Sequence, residues 1–297
     1  MKTCVIFNPA ARGEKANRFR KHLERIASEC ALKPTTGPGD ARTLAAEAVR
    51  DGFSTIVAAG GDGTLNEVLN GLGDVPGGFE TSRLGVLPLG TVNVFAKEHG
   101  VPANLAAAWE IIVRRREQRI DLGLAEWSDR GLRQRRYFAQ LAGAGLDARA
   151  VELVDWELKK KIGPLAYVMA GFRAVAEKQT MITVRAGGES CAGELVLIGN
   201  GRYYGGRFVF FPGAHPQNGR LDVCVFRKAG VFQMLSGGLA AMTGRLARSA
   251  DVTLLRSESI VVEAREDFCF ELEGDYLGRT RSIQFSAIPS VLRMITR

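Results

Sequence analysis

The stretch Ile56-Val-Ala-Ala-Gly-Gly-Asp-Gly-Thr-Leu-Asn-Glu-Val-Leu-Asn-Gly-Leu72 constrains the fold more than any other. It passes from an apolar, β-prone run, through a turn holding three glycines and one acid, straight into a helical pattern. The same grammar recurs across the first third of the chain. Thr3 to Asn8 is a short apolar run ended by Pro9; Lys15 to Cys30 carries helical spacing at Phe19, Leu23, Ile26 and Ala27; Ala41 to Arg50 is a second helical stretch. Strand Ser54 to Ala59, helix Thr64 to Leu72 and strand Arg83 to Leu87 follow, the last leading into the turn Pro88-Leu-Gly-Thr91. This alternation predicts a parallel sheet with helices on both faces, whose ligands bind beyond the carboxyl ends of the strands.

After Gly123 the pattern changes. Arg135 to Leu141, Met181 to Arg185, Glu194 to Ile198, Leu221 to Phe226, Ser259 to Glu263 and Phe268 to Glu273 read as strands, with alternation clearest at Leu221, Val223 and Val225. This half is expected to be mainly antiparallel β, interrupted by helical insertions at Ala148 to Gln179 and Val231 to Arg248. A length of 297 residues suits two domains. The boundary is placed near Ile120 to Leu124, giving domains 1–123 and 124–297, with the last ~10 residues allowed to return to the first.

Composition excludes several classes. Hydrophobic residues make up 46% and charged residues 24%, which argues against disorder and fibrous architecture. No charge-free run of about 18 apolar residues occurs, and the N-terminus lacks the pattern of a signal peptide, so a cytoplasmic protein is expected. The five cysteines are scattered, without a CxxC pair or a histidine at zinc spacing, and read as reduced core residues. The net charge of +8 favours an anionic partner: nucleic acid, a nucleotide or an acidic membrane surface.

The turns carry the chemistry. A strand that delivers Gly60-Gly61-Asp62-Gly63 to a helix at Thr64 leaves several backbone N–H groups at the positive end of the helix dipole, where phosphate is favoured. Thr64-Leu-Asn-Glu67 also fits a capping box. No Gly-Lys-Ser/Thr follows, which excludes a P-loop. An acid inside such a turn repels phosphate, so Asp62 suits Mg²⁺ or a proton-accepting role, or else an Asx turn. Pro88-Leu-Gly-Thr-Val-Asn93 offers the Gly90 backbone, Thr91 hydroxyl and Asn93 amide at a second strand end, either to a nucleotide or as a cap. Asn8-Pro-Ala-Ala-Arg-Gly13 with Lys15 forms a third.

Together with Gly201-Arg-Tyr-Tyr-Gly-Gly206 and Asn218-Gly-Arg-Leu-Asp222, these motifs resemble the diacylglycerol kinase catalytic family, in order along nearly the whole chain. The family includes bacterial lipid kinases and sphingosine and ceramide kinases. GGDGT alone is shared with NAD kinases; PxGTxN with GRxxGG makes the lipid-kinase likeness specific. The resemblance implies an α/β nucleotide-binding domain, a C-terminal β-sandwich lipid-binding domain and an active site in the cleft between them. It implies that Asn8, Pro9, Ala10, Ala11, Arg12, a threonine at 35 or 36 (Thr35 taken first), Gly61, Asp62, Gly63, Thr64, Leu65, Asn66, Glu67 and Thr91 bind ATP. Glu273-Gly-Asp275 matches the family's late Asp-Gly-Glu with both acids exchanged; the match implies Asp275 as the base with Glu273 the runner-up, beside Asp62 as a further catalytic residue, the alternative for Glu273 and Asp275 being a hairpin turn between two strand-like runs. The family's structural Mg²⁺ site falls on His215, Asn218 and Arg220, where an amide replaces the usual carboxylate and weakens the attraction for a hard cation.

The function implied is ATP- and Mg²⁺-dependent phosphorylation of a lipid hydroxyl, diacylglycerol to phosphatidic acid, as in phospholipid biosynthesis. A NAD kinase-like enzyme and a non-catalytic nucleotide or lipid sensor are the alternatives. Leu158-Lys-Lys-Lys-Ile-Gly-Pro-Leu-Ala-Tyr167 mixes basic and apolar residues as an interfacial segment does, so peripheral contact with an anionic membrane is expected. Arg114 to Arg116 and Arg133 to Arg136 read as solvated, no nucleic-acid motif accompanies them, and a homodimer is left open.

Overall fold

The computed structural model describes residues 2–9, 19, 26, 29–154, 165–206, 208–228, 230 and 251–297. The helical stretches expected at Lys15 to Cys30 and Val231 to Arg248 lie largely or wholly outside them. Of the first, Phe19 and Ile26 are buried, Phe19 with its ring 5.7 Å from that of Phe7. The chain divides into two compact units, Met1–Leu122 with Ile288–Arg297, and Gly123–Ala287.

The first unit contains β1 (Thr3–Phe7), β2 (Ala31–Pro34), α1 (Asp40–Arg50), β3 (Thr55–Gly60), α2 (Asp62–Gly73), α3 (Gly78–Thr81), β4 (Arg83–Pro88), α4 (Val94–Glu98) and α5 (Leu105–Arg114). Its sheet runs β2-β1-β3-β4, all parallel, and the end of the chain's last strand adds a fifth member through Met294 opposite Leu84. Every residue of β1 and β3 is buried, as a parallel strand covered on both faces requires. β1, β3 and β4 are neighbours running the same way, so Asn8, Gly61 and Leu89 leave the sheet at one edge.

The second unit is antiparallel, and two of its strands also contribute residues to the first. β5 (Glu117–Asp129), β6 (Leu132–Phe138), β7 (Leu141–Gly145), α6 (Leu146–Glu152), α7 (Leu165–Val175), β8 (Ile182–Ala186), β9 (Glu189–Gly193) and β10 (Leu195–Gly199) come first. The short strands β11 (Tyr203–Tyr204) and β12 (Phe208–Val209) precede β13 (Leu221–Phe226), β14 (Val252–Ser257), β15 (Ser259–Leu272) and β16 (Asp275–Ile295). The pairing order is β14-β13-β10-β7-β15-β16, with β8 on the early part of β15. β10 and β13 divide their side chains between two cores. Val196, Ile198, Leu221, Val223 and Val225 meet Phe138, Phe270 and Phe285 on one side. Leu195, Leu197, Cys224 and Phe226 meet Phe210, Phe211, Leu146 and Ala174 on the other.

Three local expectations are corrected. The run Arg135 to Leu141 is two strands broken at Ala139-Gln140, because those two amides turn to the Glu273 carboxylate. Ser259 to Glu263 and Phe268 to Glu273 belong to one strand, bulged between Glu263 and Phe268 and ending at Leu272. The helix after GGDGT begins at Asp62 rather than Thr64, with Gly61 as its N-cap, so Thr64 and Glu67 form no capping box.

Candidate active site

At the carboxyl edge of the first sheet, two glycine turns are bonded to each other through backbone. The Gly60 carbonyl accepts the N–H groups of Leu89 (2.9 Å) and Gly90 (3.3 Å), and a Cβ on Gly90 would stand 2.6 Å from the Gly61 Cα. Only glycine allows this approach. Helical geometry leaves the amides of Asp62, Gly63 and Thr64 without an intrahelical acceptor, the first helical bond running from Leu65 N–H to the Gly61 carbonyl at 3.1 Å. Gly63 and Thr91 are exposed beside them.

Several side chains of this edge build the turns. Asp62 accepts the Phe95 N–H at 3.2 Å through one oxygen, so it caps α4 instead of closing an Asx turn. Asn93, left-handed at φ 53°, accepts the Gly90 N–H at 3.0 Å and donates to the Gly90 carbonyl at 2.6 Å, locking the second turn. Glu67 accepts the amides of Gly39 (2.9 Å) and Ala41 (3.0 Å), holding the N-terminus of α1, where its negative charge complements the positive end of the dipole. Glu67→Ala is therefore expected to destabilise the protein by about 1–2 kcal/mol, measured by urea unfolding.

Leu65 and Asn66 are buried, Asn66 accepting from the Asn70 amide at 3.0 Å. Asn8 and Pro9 are exposed at the end of β1; Thr35 is buried with its N–H on the Phe7 carbonyl at 2.9 Å. Next to it, Asp40 folds back on the hydroxyl and N–H of Thr36 and the N–H of Gly37, bonds that hold its carboxyl below the usual range. Ala10, Ala11, Arg12 and Lys15 lie outside the described residues.

The second unit gathers acids around one hairpin. Leu272 pairs with Asp275, leaving Glu273 and Gly274 as a two-residue loop with φ 58° and 83°, the signature of a type I′ turn. Glutamate is a poor residue for the left-handed position; the compensation is its Oε1, which accepts the N–H groups of Ala139 (2.6 Å) and Gln140 (2.7 Å). Asp275 is the more available carboxylate, 47% exposed and paired with Arg136 at 3.0 Å. Arg136 is thus not a solvated member of its basic run.

Glu271 and Asp147 escape sequence reasoning. Glu271, 1% exposed, accepts the Gly274 N–H at 2.6 Å through Oε2, while its Oε1 has no hydrogen-bond partner among the described residues. A Cβ on Gly143 would lie 2.4 Å from an Asp147 oxygen and 2.7 Å from Glu271 Oε1, so both carboxyl groups converge over that glycine. Burial, then the charge of Asp147, pushes the Glu271 carboxyl well above its ordinary range. Burial also raises Asp147, against the hydrogen bond it accepts from the Tyr204 hydroxyl. One signal was present: Glu271 interrupts an otherwise apolar run from Phe268 to Leu272.

Asn218 accepts the Arg220 N–H at 2.9 Å, and the His215 carbonyl accepts from Gln217 and Asn218, so this segment closes a turn on itself. A neutral amide whose oxygen is already engaged does not fit Mg²⁺. Among the described residues no group of three or more His, Cys, Asp or Glu side chains could hold a metal, and no helix is long and apolar enough to cross a membrane.

A parallel sheet with paired glycine turns on one edge, followed by an antiparallel β-sandwich, has the parts of a kinase, and the likeness to known proteins specifies which kind. Residues 2–125 match the family described as Diacylglycerol kinase catalytic domain, and residues 140–296 that described as YegS C-terminal NAD kinase beta sandwich-like domain. The diacylglycerol kinase of Bacillus subtilis (strain 168) is 30% identical over 92% of this chain and 89% of its own length. That of Staphylococcus saprophyticus is 28% identical over 93% and 89%. A crystal structure of a diacylglycerol kinase from Bacillus anthracis matches with a TM-score of 0.78 at 25% identity, covering 100% of this chain and 97% of that one. The chain belongs to the diacylglycerol kinase-like family of the NAD kinase-like superfamily.

Proposed function

We propose that the protein is an ATP- and Mg²⁺-dependent lipid kinase that transfers the γ-phosphoryl group of ATP to the hydroxyl of diacylglycerol, forming phosphatidic acid. The observation that carries this reading is the sheet edge where α2 begins at Asp62, its first amides lacking intrahelical acceptors, beside the Gly90 turn. Phosphate oxygens suit those donors, and the helix dipole adds to the attraction. Asp62 supports a Mg²⁺-linked role because a carboxylate in a phosphate turn is otherwise repulsive. Bound with ATP, Mg²⁺ would supply neutralisation of phosphate charge.

In the second unit, Asp275 is the carboxylate best suited to take the acceptor's proton, since Glu273 is engaged by two backbone amides. Peripheral membrane contact goes with a lipid acceptor. Its basic segment, Leu158 to Tyr167, lies outside the described residues except where α7 begins. Radiolabelled ATP incubated with diacylglycerol, a total lipid extract and NAD tests the proposal. Labelled phosphatidic acid is expected; labelling of NAD alone overturns it.

A further inference from the structure

We propose that Glu271 is the positioning residue of the Glu273-Gly274-Asp275 turn, and that it works as a neutral carboxyl group sharing one proton with Asp147. The proposal rests on the kinase reading above, in which Asp275 is the base. It stands first on geometry. Both central residues of the turn are tied by acid-to-amide contacts: the Glu273 carboxylate holds the Ala139 and Gln140 amides, and the Gly274 amide donates to Glu271 Oε2. The second contact holds the Glu273–Gly274 peptide at the centre of the turn, one residue before Asp275, and so bears on the direction of that side chain.

Glu271 lies opposite Gly143 in the β15–β7 pair, with its neighbours Phe270 and Leu272 turned into the core on the other face. Its side chain therefore lies over Gly143, where an oxygen of Asp147, at the start of α6, also lies. Two ionised carboxylates converging over one glycine, one of them fully buried, would repel each other strongly. A single proton between them converts the repulsion into an O–H···O bond, as in other carboxyl pairs, and the pair titrates as a unit. It satisfies Glu271 Oε1, the buried oxygen that otherwise has no donor. The ionic groups bearing most on Glu271 are all acids: Asp147 first, then Glu273 and Asp275. Asp147 in turn receives the Tyr204 hydroxyl, which leaves Glu271 as the member that keeps the proton.

The sign of the pH dependence follows. The unfolded chain loses this proton near the ordinary value of 4.5, and the folded chain holds it to higher pH. The stabilisation is complete below 4.5 and is lost as pH rises through the folded-state value; the turn loosens over the same interval.

The test compares Glu271→Gln, a neutral mimic that can still accept the Gly274 N–H, with Glu271→Met, which fills the space but cannot. At neutral pH the glutamine variant should keep kcat within about threefold of the wild type, while methionine lowers it by at least about tenfold through misorientation of Asp275. KM for ATP should be unchanged in both. The wild type should lose kcat on the alkaline side, and Glu271→Gln should lack that limb. A glutamine variant as poor as methionine, or one with the wild-type pH profile, overturns the proposal. If the wild type phosphorylates no lipid, the kinase reading has failed, and infrared difference spectra decide the pair independently. A protonated-carboxyl C=O band present at neutral pH in the wild type and absent from a folded Glu271→Gln variant supports it; no such difference overturns it.

Discussion

Asp275→Asn is expected to lower lipid phosphorylation by about 10²- to 10⁴-fold, the range associated with loss of a general base. Its cost in stability should be small, below about 1 kcal/mol, because the carboxylate is 47% exposed and its ion pair with Arg136 is partly solvated. Glu273→Gln should do the reverse. Its oxygen can still accept from Ala139 and Gln140, but without charge those two bonds weaken, for a loss of roughly 1–2 kcal/mol. Steady-state kinetics with diacylglycerol beside denaturant titrations of both variants would separate the roles. Full turnover in Asp275→Asn with none in a folded Glu273→Gln would transfer the base to Glu273.

The second large effect concerns Asp62. Asp62→Asn preserves an oxygen for the Phe95 N–H and so should leave stability nearly unchanged. If the negative charge works through the metal or a proton, activity should still fall by about 100-fold or more. Asp62→Ala removes both functions, and should add a loss of about 1 kcal/mol from the unsatisfied amide of α4. A fully active asparagine variant would reduce Asp62 to a cap.

These two residues show what could be read in advance. Strands β1, β3 and β4 were legible because parallel strands covered on both faces are written as short apolar runs ended by glycine or proline. Their turns were legible because few residue types fit there. The partners were not. Nothing in the spacing of Thr64 and Glu67 says that Glu67 serves α1, 26 and 28 residues away, instead of its own helix. The break at Ala139-Gln140 has no local cause; it is imposed by a carboxylate more than 130 residues later. Arg136 read as one more surface cation for the same reason. Glu271 was hidden differently: it lies inside a run taken as an ordinary strand, and its meaning depends on Gly143 leaving room for a second acid.

The final strand carries a consequence for synthesis. β16 starts at Asp275 in the second unit and ends in the first, where Leu292, Met294 and Ile295 are buried, Met294 pairs with Leu84, and the Thr296 N–H reaches the Arg116 carbonyl. A ribosome therefore emits four strands of the first sheet early, yet their outer member, β4, waits for its last neighbour until almost the whole chain has been made. The first unit is begun first and finished last, so a nascent chain cannot complete its parallel sheet before the hairpin that bears Asp275 exists.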